Sequence, residues 1–219
     1  FMAAGLEQVL SYLEAFQFSD ADIAWLDQTG GFRPASLNAL RAMRFTGEVH
    51  AMPEGSLFFP HEPILRITAP LPQAQLVETR VMNLLNFQTM VASKACRSVL
   101  VAGDKPLIDF GLRRAHGAEA GLLAARAAYL AGLAGTSNVS AGARFGIPIY
   151  GTMAHSFVQA HLDEAEAFTH IAEAQPRNVV LLIDTYDTEA AAEKVVSLAG
   201  RLNARGISIH GVRLDSGDL

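Results

Sequence analysis

One cysteine, Cys96, stands in 219 residues. That scarcity excludes an internal disulfide framework and suits a reducing compartment. A lone thiol in a helical run reads as a small buried apolar residue rather than a nucleophile. No apolar run approaches the ~20 residues needed to span a bilayer, and the first residues lack a basic stretch ahead of an apolar one. The expectation is a cytoplasmic protein without a membrane partner. Charged residues are only 18% of the chain and the net charge is −5. Lys and Arg are scattered and nowhere interleaved with aromatics, which argues against a nucleic-acid partner. There is no Gly-rich loop ending in Lys-Ser/Thr and no dinucleotide fingerprint, so a bound nucleotide must be held in another way. His161, His170 and His210 lack the spacing of a metal site, and no metal ligand is assigned.

What is present is apolar bulk. Half the residues are hydrophobic, enough for one large domain or two smaller ones. Leu6, Val9, Leu10, Leu13 and Phe16 form a helical stripe, a second helix follows Ser19-Asp20, and another short one is expected around 34–44. Segments 47–51, 56–59 and 64–68, separated by Pro53-Glu54-Gly55 and by Pro60 and Pro63, read as a small antiparallel meander. A long buried helix is expected over 73–98. Its Asn83, Asn86 and Gln88 are either ligand partners or hydrogen-bonded amides. From residue 104 the rhythm is strand, loop, helix: strands at 106–110, 147–152, 178–184 and 207–214, a short strand or turn at 135–139, and helices at 118–130, 156–173 and from about 189 to Gly206. Repeated strand–helix units argue for a parallel sheet. The expected fold class is therefore α/β, an incomplete TIM-like barrel over 101–219 preceded by a smaller α+β domain with an antiparallel sheet over 1–100. The chain opens on Phe1-Met2 and stops after the Asp-Ser-Gly-Asp cluster, so further residues are expected on both sides.

Three polar clusters follow apolar runs: Asp109 to Arg114, Gly151 to Ser156, and Arg213 to Asp218. In a parallel α/β sheet the carboxyl ends of the strands form the ligand site, so these loops are expected to converge. Phe110, Arg113, Ser137, Thr152, His155, Asp184, Arg213 and Asp215 are the residues so placed. Arg113 and Arg114 offer forked donors to phosphate or carboxylate, or form surface ion pairs. Asp215 accepts two sugar hydroxyls, lies near a divalent cation, or belongs to an ordinary turn. His155 is a general base, a nucleophile toward phosphate, or a structural hydrogen-bonding residue.

In this order, the strings Ala4-Gly5-Leu6-Glu7, Pro53-Glu54-Gly55, Asp109-Phe110-Gly111-Leu112-Arg113-Arg114, Gly135-Thr136-Ser137-Asn138, Gly151-Thr152-Met153-Ala154-His155-Ser156, Asp184-Thr185-Tyr186-Asp187 and Arg213-Leu214-Asp215-Ser216-Gly217-Asp218 resemble nicotinate phosphoribosyltransferases. The resemblance spans nearly the whole chain. It implies a barrel of the type II phosphoribosyltransferase kind and the first step of NAD salvage from nicotinate. In that step nicotinate and phosphoribosyl pyrophosphate give nicotinate mononucleotide and pyrophosphate, coupled to ATP hydrolysis. It implies ATP and magnesium as cofactors, a phosphohistidine at His155, nicotinate held by Thr152 and Arg213, and a homodimer. With those roles, Phe110 is suited to stack on the pyridine ring, Arg113 to steady the donor's phosphates, and Asp215 to bind ribose hydroxyls. The nicotinamide-using relative carries aspartate in the matching Gly-Thr-Asp string. Ser137 would not repel the acid's charge, and so favours nicotinate. The family's N-terminal segment, with a tyrosine that stacks on the pyridine in a neighbouring subunit's site, and its downstream phosphate loop are not in this chain, and such a piece is expected to be inactive by itself. The alternatives are a nicotinamide or quinolinate phosphoribosyltransferase, or a non-catalytic barrel scaffold.

Overall fold

The computed structural model describes residues 1–217; Asp218 and Leu219, the end of the third polar cluster, lie outside the described residues. The chain divides by compactness into a first unit, Phe1–Tyr150, and a second beginning at Gly151. This break comes later than the boundary near residue 100 because the helix after that point packs onto the long helix before it.

The first unit opens with α1 (Leu6–Glu14), α2 (Asp20–Gln28) and α3 (Pro34–Ala42). The start of α2 is set locally: Asp22 N–H donates to Ser19 Oγ, and Ser19 N–H donates to Asp22 Oδ2 at 2.8 Å, a reciprocal capping box. Strands β1 (Glu48–Ala51) and β2 (Leu65–Thr68) pair antiparallel from Glu48 opposite Thr68 to Ala51 opposite Leu65. The expected third strand at 56–59 is reduced to one bridge between Met2 and Leu57. The segment is held instead by the first residues of the chain: Ala3 N–H donates to Ser56 O at 2.9 Å and Phe58 N–H to Phe1 O at 3.0 Å.

Helix α4 (Leu71–Ala102) is longer than the pattern predicts. It begins just after Pro70, with Pro72 in its first turn, where a missing N–H costs nothing. Val77, Val81, Leu84 and Leu85 pack with Val9, Leu13 and Phe16 into the main core of this unit. Gln88 is fully buried, its Nε2 donating to Leu84 O at 3.3 Å; it is one of the core amides. Gly5 lies against this helix with φ of 103°, and a Cβ there would come within 2.7 Å of Leu84 O, so no side chain is tolerated.

After α4 come β3 (Ile108–Asp109), a 3₁₀ turn (Leu112–Arg114), α5 (Ala118–Leu130), β4 (Gly135–Thr136) and α6 (Val139–Phe145). Strands β3 and β4 are parallel. The sequence pattern missed α6, although Asn138 caps it and Gly146 ends it in the left-handed region. The expected strand at 147–152 is a single parallel bridge, Thr136 to Ile149.

Two strings of the family resemblance meet in this unit. Glu54 Oε1 accepts from the backbone N–H of Gly5 at 2.5 Å and of Leu6 at 3.1 Å, capping α1. The Arg126 guanidinium on α5 donates to both Glu54 oxygens at 2.9 and 2.7 Å, and also to Glu7. Burial pushes the Glu54 carboxyl up, but Arg126 and the two backbone donors outweigh it and leave it below the usual carboxylate range.

The second unit contains α7 (His155–Gln159), α8 (Glu164–Ala174), β5 (Val179–Leu182), α9 (Thr188–Asn203) and β6 (Ile209–Arg213). The helix expected over 156–173 is split in two. Asp163 Oδ1 accepts from Glu166 N–H at 2.9 Å and so starts a new helix. Strands β5 and β6 run parallel on either side of α9 in sequence, with Leu182 opposite Arg213, the strand–helix–strand unit read from the sequence. Phe168, Leu181, Leu182, Leu198 and Leu202 are fully buried in its core. Each contributes roughly 1.5–3 kcal/mol of transfer free energy. The fold is thus mixed α/β, with one parallel pair of strands in each unit among the described residues.

Candidate active site

In the second unit the chemistry gathers at the carboxyl ends of β5 and β6. Asp184 follows β5 by two residues, Arg213 ends β6, and Asp215 follows it by two. His155 is the first residue of α7, and Thr152 lies in the preceding loop. His155 Nε2 and Asp184 Oδ1 are 3.2 Å apart. The other oxygen of Asp184 accepts from Asp215 N–H at 2.6 Å and from the Ser216 hydroxyl at 2.8 Å. The Asp184 side chain is only 3% exposed. Burial pushes its carboxyl up, yet hydrogen bonds from the Ser216 hydroxyl and the backbone N–H groups of Asp215, Ser216 and Asp184 prevail and hold it at about 2.

An ionised carboxylate only accepts, so in the neutral imidazole the proton facing Asp184 is on Nε2. The lone pair is then on Nδ1, the nitrogen left to attack an electrophile. Beside this pair, Arg213 Nη1 donates to Thr152 Oγ1 at 2.5 Å while its Nη2 pairs with Asp215 Oδ1 at 2.8 Å. The Thr152 hydroxyl donates to Met153 O at 3.2 Å. One guanidinium therefore orients the threonine hydroxyl and the aspartate together. Such a planar fork suits a ligand carboxylate as well.

In the first unit, Asp109 ties the ends of β3 and β4. Its Oδ2 accepts from the Thr136 hydroxyl at 2.7 Å and its Oδ1 from Gly111 N–H at 2.9 Å. Ser137 N–H donates to Asp109 O at 2.8 Å, and Asn138 N–H donates to Thr136 Oγ1 at 3.0 Å. Phe110 and Ser137 are thereby fixed on adjacent strand ends, Phe110 with an exposed ring and Ser137 half-buried. Arg113 and Arg114 are exposed on the 3₁₀ turn that follows.

The family model of the nicotinate phosphoribosyltransferase N-terminal domain matches residues 1–86, and that of the nicotinate phosphoribosyltransferase family matches 106–219. The chain belongs to the nicotinate phosphoribosyltransferase family. A nicotinate phosphoribosyltransferase of Mycobacterium tuberculosis is 50% identical over 218 residues, covering 100% of this chain and 47% of the relative. The Bacillus subtilis nicotinate phosphoribosyltransferase is 46% identical over 217 residues, covering 99% and 44%. The crystal structure of human nicotinic acid phosphoribosyltransferase superposes with a TM-score of 0.91 at 34% identity over 100% of this chain and 54% of that one. That of nicotinate-nucleotide pyrophosphorylase from Pyrococcus furiosus gives 0.74 at 26% identity, over 99% and 47%. The chain spans about half the length of these relatives.

Within this family frame, four of the residues singled out from the sequence, Thr152, His155, Arg213 and Asp215, belong to one side-chain cluster of the second unit. Phe110, Arg113 and Ser137 belong to the first unit. Asp184, which the sequence also placed at a strand end and in the Asp184-Thr185-Tyr186-Asp187 string, joins His155 to the Asp215 loop, a role that no sequence reading gave it. Asp109 and Thr136, which order the Phe110 and Ser137 loops, had no signal beyond membership of their strings. Among the described residues, no group of three or more His, Cys, Asp or Glu side chains is arranged to hold a metal ion. No described helix is long and apolar enough to cross a membrane.

Proposed function

We propose that the full-length protein is an ATP-dependent nicotinate phosphoribosyltransferase whose phosphoryl acceptor is Nδ1 of His155. The observation that carries this reading is the contact of His155 Nε2 with the buried Asp184 carboxylate at 3.2 Å, in a chain of this family. In the coupling step, Nδ1 attacks the terminal phosphorus of ATP, an N–P bond forms, and the bond to ADP breaks. Asp184 stabilises the positive charge that develops on the ring, and water later cleaves the N–P bond. In the synthetic step, the pyridine nitrogen of nicotinate attacks the anomeric carbon of phosphoribosyl pyrophosphate and pyrophosphate leaves.

Arg213 and Thr152 are assigned to the nicotinate carboxylate, Phe110 to its ring, Arg113 to the donor's phosphates and Asp215 to the ribose hydroxyls. Magnesium is assigned to substrate phosphate oxygens, its usual mode of binding. A cytoplasmic homodimer is part of the same reading. Turnover by the full-length protein with nicotinate, nicotinamide and quinolinate tests it: product from nicotinate is expected, and product only from nicotinamide or only from quinolinate overturns it. Incubation with labelled ATP is expected to give an acid-labile, base-stable phosphoprotein, and His155→Ala to abolish the label. Label persisting in that variant refutes the assignment of His155.

A further inference from the structure

Helix α7 has only five residues, too few to persist by propensity, yet it begins with His155. Its order must come from its attachments. Val158 is buried in the core of the second unit and Phe157 packs against that core. The first residue is tied by Asp184. The far end is tied by a second imidazole: His161 Nδ1 lies 2.7 Å from Phe157 O, and His161 Nε2 lies 3.0 Å from Nδ1 of His170 on α8. The His161 ring is also 4.6 Å from the Phe157 ring, centroid to centroid.

A carbonyl oxygen only accepts, so His161 Nδ1 carries a proton. In the neutral ring its Nε2 is then an acceptor, and the His170 Nδ1–H is the donor. The pair holds together with both rings neutral or with one shared extra proton. Protonating both places two N–H groups and two charges face to face at 3.0 Å, which breaks the bond. The charged groups of α8 and its cap have other partners, Asp163 accepting from Glu166 N–H at 2.9 Å, and Glu189, Glu193 and Arg201 are the further charges on α9. Glu164 pairs with Lys194 of α9, Glu173 pairs with Arg205, and Glu166 accepts from Leu162 N–H at 3.3 Å. On α7 itself the remaining titratable group is His155.

We propose that His161 and His170 are positioning residues that clamp the helix carrying His155 to α8, and that this clamp opens when both rings are protonated. The inference rests on the reading of His155 as phosphoryl acceptor for its functional consequence, and on geometry alone for the clamp.

The test uses the full-length protein and its single-turnover labelling by ATP. His170→Ala removes the donor and is expected to slow labelling about three- to tenfold at neutral pH, the scale of one hydrogen bond, with the KM for phosphoribosyl pyrophosphate unchanged. His170→Asn keeps an N–H where Nδ1 was and cannot be protonated. It is expected to label at the wild-type rate at neutral pH and to lose less labelling than the wild type on acidification. Backbone hydrogen exchange at Ala160 and His161 is expected to quicken by a similar factor in His170→Ala and not in His170→Asn. Labelling and exchange both unchanged in His170→Ala overturn the inference and leave the phosphohistidine reading intact. A wild type that takes no label sinks that reading, and exchange then decides the clamp alone: quickened exchange supports it and unchanged exchange overturns it.

Discussion

Replacing Asp184 by asparagine changes one atom and is expected to be worse than removing the side chain. In the wild type, one oxygen faces His155 Nε2 and the other accepts from both Asp215 N–H and the Ser216 hydroxyl. An asparagine has one oxygen to offer. Two donors converge on the Oδ2 position and one on the Oδ1 position, so the amide oxygen turns toward Asp215 and Ser216. Its NH₂ then faces His155 and donates to Nε2, which forces the ring proton onto Nδ1. The lone pair needed for attack is on the wrong nitrogen. The loss of the stabilising charge adds to this. Where a triad carboxylate is replaced in this manner, the tautomer error costs about 10⁴ in kcat; here we expect at least a hundredfold loss in labelling rate. Asp184→Ala leaves the imidazole to sample both tautomers and is expected to lose less than Asp184→Asn. The assay is rapid-quench labelling of the full-length protein with ATP, alongside long-range proton–nitrogen NMR of the His155 ring. Labelling by Asp184→Asn equal to or faster than that of Asp184→Ala, or an unchanged tautomer, refutes the reasoning.

Two further changes test the first unit. Arg126→Met leaves the Glu54 carboxylate, only 16% exposed, with its two backbone donors and no counter-charge, and is expected to destabilise by about 3 kcal/mol at pH 7. Because the folded Glu54 carboxyl lies below its usual range, the wild-type stability from this group is present at neutral pH and fades as pH falls through the folded value. In the variant that carboxyl rises, so the gap between variant and wild type narrows as pH approaches 4. Urea midpoints at pH 7 and pH 4.5 read this, and a gap under 1 kcal/mol or one independent of pH contradicts it. Ser137→Asp adds a negative charge that repels an acid substrate and not an amide, and is expected to lower kcat/KM for nicotinate while sparing nicotinamide; an equal effect on both substrates removes Ser137 from the acid-versus-amide choice.

The pattern of apolar residues made the helices legible wherever one face is buried and the other wet, as in α1 and α9, and made β5 legible as an apolar run. It failed where tertiary contacts set the boundaries. The 156–173 helix breaks at Asp163 because a side-chain cap outcompetes continuation. The strand at 56–59 was read from spacing alone, which could not show that the segment pairs with residues 1–3 instead of joining β1 and β2. Helix α6 was hidden because a Gly-Thr-Ser-Asn string reads as a turn until Asn138 is seen as a cap. The candidate site was legible as residue types after strands. Its wiring was not: periodicity locates Asp184 at the end of a strand but carries no information on which imidazole its oxygen meets.

That difference separates two kinds of string in the family resemblance. Ala4 to Glu7 and Pro53 to Gly55 look as distinctive as Gly151 to Ser156, yet their side chains converge on Arg126 and a helix cap. Their constraint is on folding, and substitutions there act through stability. Asp184 is different in kind. His155, the Asp215 N–H and the Ser216 hydroxyl meet its two oxygens, and its carboxyl at about 2 stays ionised throughout the neutral range. The stability this contributes is present above about pH 4 and is lost as pH falls toward 2. Asp184 therefore cannot be the group whose titration shapes activity near neutrality; it is a fixed charge. Comparing the pH profiles of wild type and His170→Asn separates the contributions: a loss of labelling on acidification that the variant escapes belongs to the His161–His170 pair, and a loss that persists belongs elsewhere.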